Sequence, residues 1–160
     1  KRLSSLGAES CGRSKSGSGG KAMIFEIKGK PQGKARARTF YDNRIGKMRS
    51  VTPERTISYE ELIRWSFVSQ GVKYGGHSAS FRVEISARYE VPRSWSKKKR
   101  TAALSGEILP QVKPDCDNVV KTVLDALNGV AYNDDRQVVY VACRKKYAEE
   151  GSILVKIEEM

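Results

Sequence analysis

The sequence predicts an α+β domain, with helices packed on a mixed sheet of about four strands. Apolar residues recur with strand and helix periods in the order β, α, β, α, α, β, β, which lacks the regular alternation of a doubly wound fold. A chain of 160 residues has room for one core. Its 39% hydrophobic and 30% charged residues suit a soluble globular protein rather than a disordered one. No apolar run approaches the ~20 residues that span a bilayer, and no apolar segment of signal-peptide type follows the basic start.

Residues 1–22 are dominated by Gly and Ser and carry no hydrophobic period. They read as a flexible leader appended ahead of a natural start at Met23, which leaves 23–160 as the folded domain. Met23–Lys28 alternates, with Phe25 and Ile27 on one face, as a short strand does. After the break Gly29-Lys30-Pro31-Gln32-Gly33, the basic residues Lys34, Arg36 and Arg38 recur at period two, so an extended chain points all three the same way. Ser58–Gln70 has a helical pattern: Ser58 and Glu61 form a capping box, Tyr59, Leu62, Ile63 and Phe67 share a face, and Gly71 ends it.

Phe81, Val83, Ile85, Ala87 and Tyr89 alternate with Arg82, Glu84, Ser86 and Arg88, the cleanest strand in the chain, and Pro92 ends it. Ser96 caps a short basic helix, Lys97 to Leu104, closed by Gly106. A further helix runs from about Asn118 to Leu127, with Gly129 as its stop. Two strands, Gln137–Lys145 and Ser152–Ile157, follow, joined by the turn Glu149-Glu150-Gly151.

Charge bears on function. Thirty Lys and Arg stand against eighteen Asp and Glu, a net +12, and the leader accounts for only +4 of it. Residues 1–110 carry +14 and residues 111–160 carry −2. A basic body with one acidic cluster suits a metal-dependent enzyme working on a phosphate backbone; a basic structural protein, such as a ribosomal one, accounts for the same balance. Cys11, Cys116 and Cys143 are odd in number, far apart and without a CxxC, which argues against a disulfide scaffold or a cysteine zinc site and points to a reducing cytoplasm. The single histidine, His77, excludes a site built on several imidazoles.

The acidic cluster begins at Lys113-Pro114-Asp115-Cys116-Asp117-Asn118. In an extended backbone Asp115 and Asp117 project to one side, and two carboxylates so close call for a cation between them, an oxygen-ligated divalent metal by kind. Asp134-Asp135 can join them if the chain returns alongside. Asp117, Lys121 and Asp125, spaced four apart, form a row on the helix face opposite Val119, Val120, Val123, Leu124 and Leu127, so Lys121 sits one turn above Asp117. Plainer roles fit each residue alone: Asp117 as an N-cap, Lys121 in a surface ion pair, Asp134-Asp135 as a turn. An EF-hand loop does not fit the spacing.

The block 113–138 resembles the core motif of the RusA family of Holliday-junction resolvases, roughly K-P-D-x-D-N-x-x-K-x-x-x-D-A-L-N-G followed by D-D-x-Q-V. Gly29-Lys30-Pro31 with Lys34, Arg36 and Arg38 resembles the family's basic N-terminal strand and loop. The stretch 40–76 departs from the family pattern. The resemblance implies a small homodimeric endonuclease of a bacterium or prophage, dependent on Mg²⁺ (Mn²⁺ as the alternative), that cuts four-way DNA junctions in recombination and repair. By position, Asp115, Asp117 and Asp135 match the family's metal-binding carboxylates and Lys121 its catalytic lysine; Asp134 is adjacent to the match.

A DNA footprint is then expected at Lys34, Arg36 and Arg38, and at Lys97, Lys98, Lys99 and Arg100, whose cations oppose the dipole of their own helix and gain from an anionic partner. Two rivals remain open: an Mg²⁺ nuclease for other branched or single-stranded DNA, and a nonenzymatic nucleic-acid binder. A restriction-type site fits less well, because Asp135-Arg136-Gln137 lacks a lysine two residues on.

Overall fold

The computed structural model describes residues 22–71 and 79–160. The leader before Ala22 and His77 fall outside them. Among the described residues the order is β1 (Ala22–Lys28), β2 (Arg38–Asp42), β3 (Lys47–Val51), α1 (Glu54–Val68), β4 (Phe81–Glu90), α2 (Lys97–Ser105), α3 (Cys116–Leu127), a 3₁₀ turn (Asp135–Gln137), β5 (Val138–Ala148) and β6 (Ser152–Glu159). No helix among these residues is long and apolar enough to cross a membrane.

The sheet is mixed and four-stranded, as expected, in the order β1-β6-β4-β5. β6 lies antiparallel to both β1 and β4, while β5 runs parallel to β4. A parallel neighbour cannot be reached by a hairpin, so the chain must cross back along the sheet, and α2 and α3 lie within that connection. Alternation sends Phe25 and Ile27 of β1, Phe81, Val83, Ile85, Ala87 and Tyr89 of β4 and Ile153, Val155 and Ile157 of β6 to one face, all buried. Tyr59, Ile63 and Phe67 of α1 and Val119, Val123, Ala126 and Leu127 of α3 cover that face, and Phe25 meets Phe67 edge-on at 5.7 Å.

Two local expectations need correction. α1 starts one turn earlier than its supposed capping box: Pro53 is the N-cap, and the Ser58 hydroxyl donates within the helix to the Glu54 carbonyl at 3.1 Å. Thr56 joins the buried face, whereas Leu62 is exposed. The β2–β3 hairpin, an antiparallel pair closed by Asp42 and Gly46, was not foreseen; Gly46 supplies the left-handed residue (φ 64°), and the Asp42 carboxylate accepts from the Arg44 amide at 3.0 Å. The caps of α2 stand as expected, with Ser96 accepting from the Lys99 amide and Gly106 left-handed at φ 89°.

Candidate active site and nucleic-acid interface

Asp115 and Asp117 meet at the start of α3, by a different geometry from the one expected. Only Asp115 is extended, as the N-cap (φ −74°, ψ 159°); the helix begins at Cys116, which puts Asp117 in its first turn. An acidic residue there complements the helix dipole. The Asp115 side chain makes no capping hydrogen bond, and both aspartates are exposed. Among the described residues neither they nor Lys121 belong to an ion pair. Asp125, the next member of the row, is bonded not to Lys121 but to Lys34.

The basic segment after β1 presses against this helix end. A hydrogen bond of 3.4 Å runs from the Lys34 amide to the Asn118 carbonyl, and Gly33 packs on Pro114. Residues 30–37 form no strand, so the period-two display is only partly realised. Lys34 turns inward to Asp125 and to Glu60 at 3.4 Å, and its ammonium is held above the usual lysine range first by the Asp125 hydrogen bond. Arg36 and Arg38 remain exposed. With Lys30, Arg55 and Lys113 they line a hollow of about 750 Å³ whose wall includes Asp115. Reasoning from sequence missed Arg55 and Lys113 as members of this surface. Lys113 opens the 113–138 block, while nothing in the sequence marks Arg55.

The second acidic pair is divided in its roles. Asp134 caps the 3₁₀ turn: it accepts from the Arg136 amide at 2.9 Å and from its guanidinium at 2.8 and 3.2 Å, which holds its carboxyl below the usual range. Asp135 is exposed beside it. Nearby, the Tyr132 hydroxyl donates to the Leu124 carbonyl at 2.8 Å and is kept protonated well above the ordinary tyrosine range, by burial first and then by the charges of Asp135 and Asp125.

The register places the two acidic groups apart within one chain. Val138, just after the turn, pairs with Phe81 at the start of β4; Tyr89, near its other end, donates to the Pro114 carbonyl at 3.1 Å. α3 lies between, about 18 Å long for its twelve residues. The return strand therefore does not begin beside Asp115, because parallel pairing obliges α3 to carry the chain back to the start of β4. Among the described residues no three Asp, Glu, His or Cys side chains gather closely enough to hold a metal ion. The donor set nonetheless fits a hard divalent cation: Asp115 and Asp117 are carboxylates with uncommitted, solvent-facing oxygens.

The basic run on α2 is also divided. Lys97, Lys98 and Lys99 are exposed, with Lys99 4.0 Å above the Trp95 ring, whereas the Arg100 guanidinium donates to the Val91 and Pro92 carbonyls and ties α2 to the end of β4. Cys116 and Cys143 are free thiols close to one another; burial and then the neighbouring Cys116 push the Cys143 thiol up to about 12.

A mixed sheet with an Asp-x-Asp helix start beside a cation-lined hollow is matched by a family model, Endodeoxyribonuclease RusA, over residues 28–158. The chain belongs to the RusA endodeoxyribonuclease family. It is also 33% identical over 138 residues, 85% of this chain and 95% of that protein, to the uncharacterized protein YqaN of Bacillus subtilis (strain 168). The RusA match takes in β4, β5 and nearly all of β6, all three helices and both acidic pairs, and membership makes the chain a nuclease by family.

Proposed function

We propose that this chain is a Mg²⁺- or Mn²⁺-dependent homodimeric endonuclease that resolves Holliday junctions in DNA recombination and repair, working in the cytoplasm on the nucleoid. The single observation that carries the proposal is the hollow in which Arg36, Arg38, Arg55 and Lys113 stand around Asp115, beside a family match to a DNA nuclease. Phosphates are drawn in by the cations, and the exposed acidic pair lies where a backbone would pass.

Asp115, Asp117 and Asp135 would hold the metal, which when bound supplies charge neutralisation at the scissile phosphate and a more acidic water. Lys121, exposed and unpaired one turn above Asp117, adds positive charge where it develops on the phosphoryl oxygens. Arg36 and Arg38, with Lys97, Lys98 and Lys99, take the flanking phosphates; Lys34 and Arg100 spend their charge inside the chain and serve to shape the surface. A two-fold partner is favoured by the separation of the acidic groups, since the Asp135 end of one chain can then meet the Asp115 end of the other.

Cleavage of a synthetic four-way junction, against a linear duplex of the same sequence and with or without Mg²⁺, tests the reading. Paired nicks on the junction alone, abolished by chelation, are expected. Metal-independent binding with no cutting would leave the nonenzymatic rival standing.

A further inference from the structure

The β2–β3 hairpin contributes nothing to the core, yet it is rich in large apolar side chains. Of its ten strand residues none is buried, and all but Asp42 are exposed. Phe40, Tyr41 and Met48 are 47%, 57% and 64% exposed. A two-stranded ribbon without a covering layer is marginal in water, and apolar side chains grouped on one mark a surface that another molecule covers.

Its register sorts the side chains. Arg38 pairs with Val51, Phe40 with Arg49 and Asp42 with Lys47 on one face; Thr39 with Ser50 and Tyr41 with Met48 form the other. The first face is basic and aromatic, the second neutral. Between residues 36 and 55 there are six Lys and Arg against Asp42 and Glu54, and Asp42 is already paired with Arg49 at 3.2 Å.

The first face also has an address. Arg38, Phe40, Val51, Thr52, Pro53 and Glu54 line a mainly apolar recess of about 500 Å³. Arg38 and Pro53 belong equally to the wall of the cation-lined hollow that holds Asp115. A surface for phosphates thus opens directly into a recess for something flat and apolar. A nucleic-acid strand with an unpaired base has both parts in that order, and an acidic protein partner would leave the ring without a role.

We infer that the hairpin is a base-stacking arm: the Phe40 face receives an unpaired base from the strand whose phosphates lie along Arg36 and Arg38 toward Asp115. The inference rests on the nuclease reading for its DNA partner and names what that partner must offer, a base free of its stack, as the branch point of a junction does. Phe40 is then a specificity residue for open DNA over continuous duplex.

The test uses the full chain without divalent metal, a single-stranded oligonucleotide carrying 2-aminopurine, and a four-way junction with the same base at its branch point. The wild-type protein should change the fluorescence of both probes and leave that of a fully paired duplex unchanged. Phe40→Ala should abolish the change and weaken oligonucleotide binding about tenfold, while Phe40→Trp restores both. Tyr41→Ala, on the opposite face, should behave as wild type and guards against mere loss of the hairpin. Wild-type behaviour of Phe40→Ala, or equal losses in both alanine variants, would overturn the inference. Junction cleavage by the wild-type protein with Mg²⁺ separates the two readings. No cutting with Phe40-dependent stacking sinks only the resolvase proposal; cutting with Phe40→Ala indistinguishable from wild type sinks only the arm.

Discussion

A Cβ placed on Gly33 would lie 2.6 Å from the Cβ of Pro114, with the Asn118 Cβ at 3.0 Å. Only a glycine lets the basic segment lie this close to the start of α3, and the contact joins the arginine side of the hollow to its acidic side. Gly33→Ala must push the two apart, because Pro114 is rigid. We expect a loss of about 1–3 kcal/mol in stability, typical of overpacking, together with weaker junction binding, read from urea melts and gel-shift titrations. Unchanged stability and binding would show that the contact opens freely.

Asp115→Asn keeps the N-cap residue type while removing charge. Since the Asp115 side chain makes no capping hydrogen bond, folding should be almost unaffected. Junction binding should persist and strand cutting should fall at least ~100-fold, the scale set by loss of one electrostatic contributor to a transition state. Loss of binding together with cutting would remove Asp115 from the chemistry.

Mixing two inactive variants tests the proposed dimer. If Asp135 acts across the two-fold, Asp115→Asn and Asp135→Asn chains allowed to exchange subunits form hybrids in which one of two sites has all its carboxylates. Nicking of one strand should reappear, at about a quarter of the wild-type site number after random exchange of an equal mixture. A silent mixture of demonstrably exchanged chains would mean that each site draws its acids from a single chain.

Asp134 gives a pH signature. Its hydrogen bonds from Arg136 hold its carboxyl below the ordinary 3.8, so the folded state binds this proton less readily than the unfolded chain. The cap's contribution is present above pH 3.8 and is lost as pH falls through the lower folded-state value. In denaturant melts across pH, Asp134→Asn should be less stable than wild type at neutral pH, with the gap closing below about pH 4. A gap independent of pH would assign the effect to geometry rather than charge.

Much of this fold could be read from periodicity. The Phe81–Tyr89 alternation, the Ser96 and Gly106 caps and the apolar face of α3 each follow from local rules that tertiary packing leaves alone. α1 was harder, because Ser58 and Glu61 imitate a capping box one turn inside the helix, and Pro53 was the better sign. The hairpin escaped notice because it buries nothing, so its residues carry no core-directed alternation. At the site, the 113–138 block identified Asp115 and Asp117 as neighbours. It could not reveal that Lys34 turns to Asp125, or that Asp135 follows the parallel crossover to the far end of β4, since both depend on contacts distant in sequence.

The detachment of β2 and β3 from the core has a consequence for handling the protein. Arg44 and Lys47 flank an exposed turn that can open without disturbing any strand of the main sheet. Trypsin should nick there while the sheet and its helices stay folded, leaving a clipped protein that melts like the intact one but has lost its aromatic finger, and bound DNA should shield that bond from the protease.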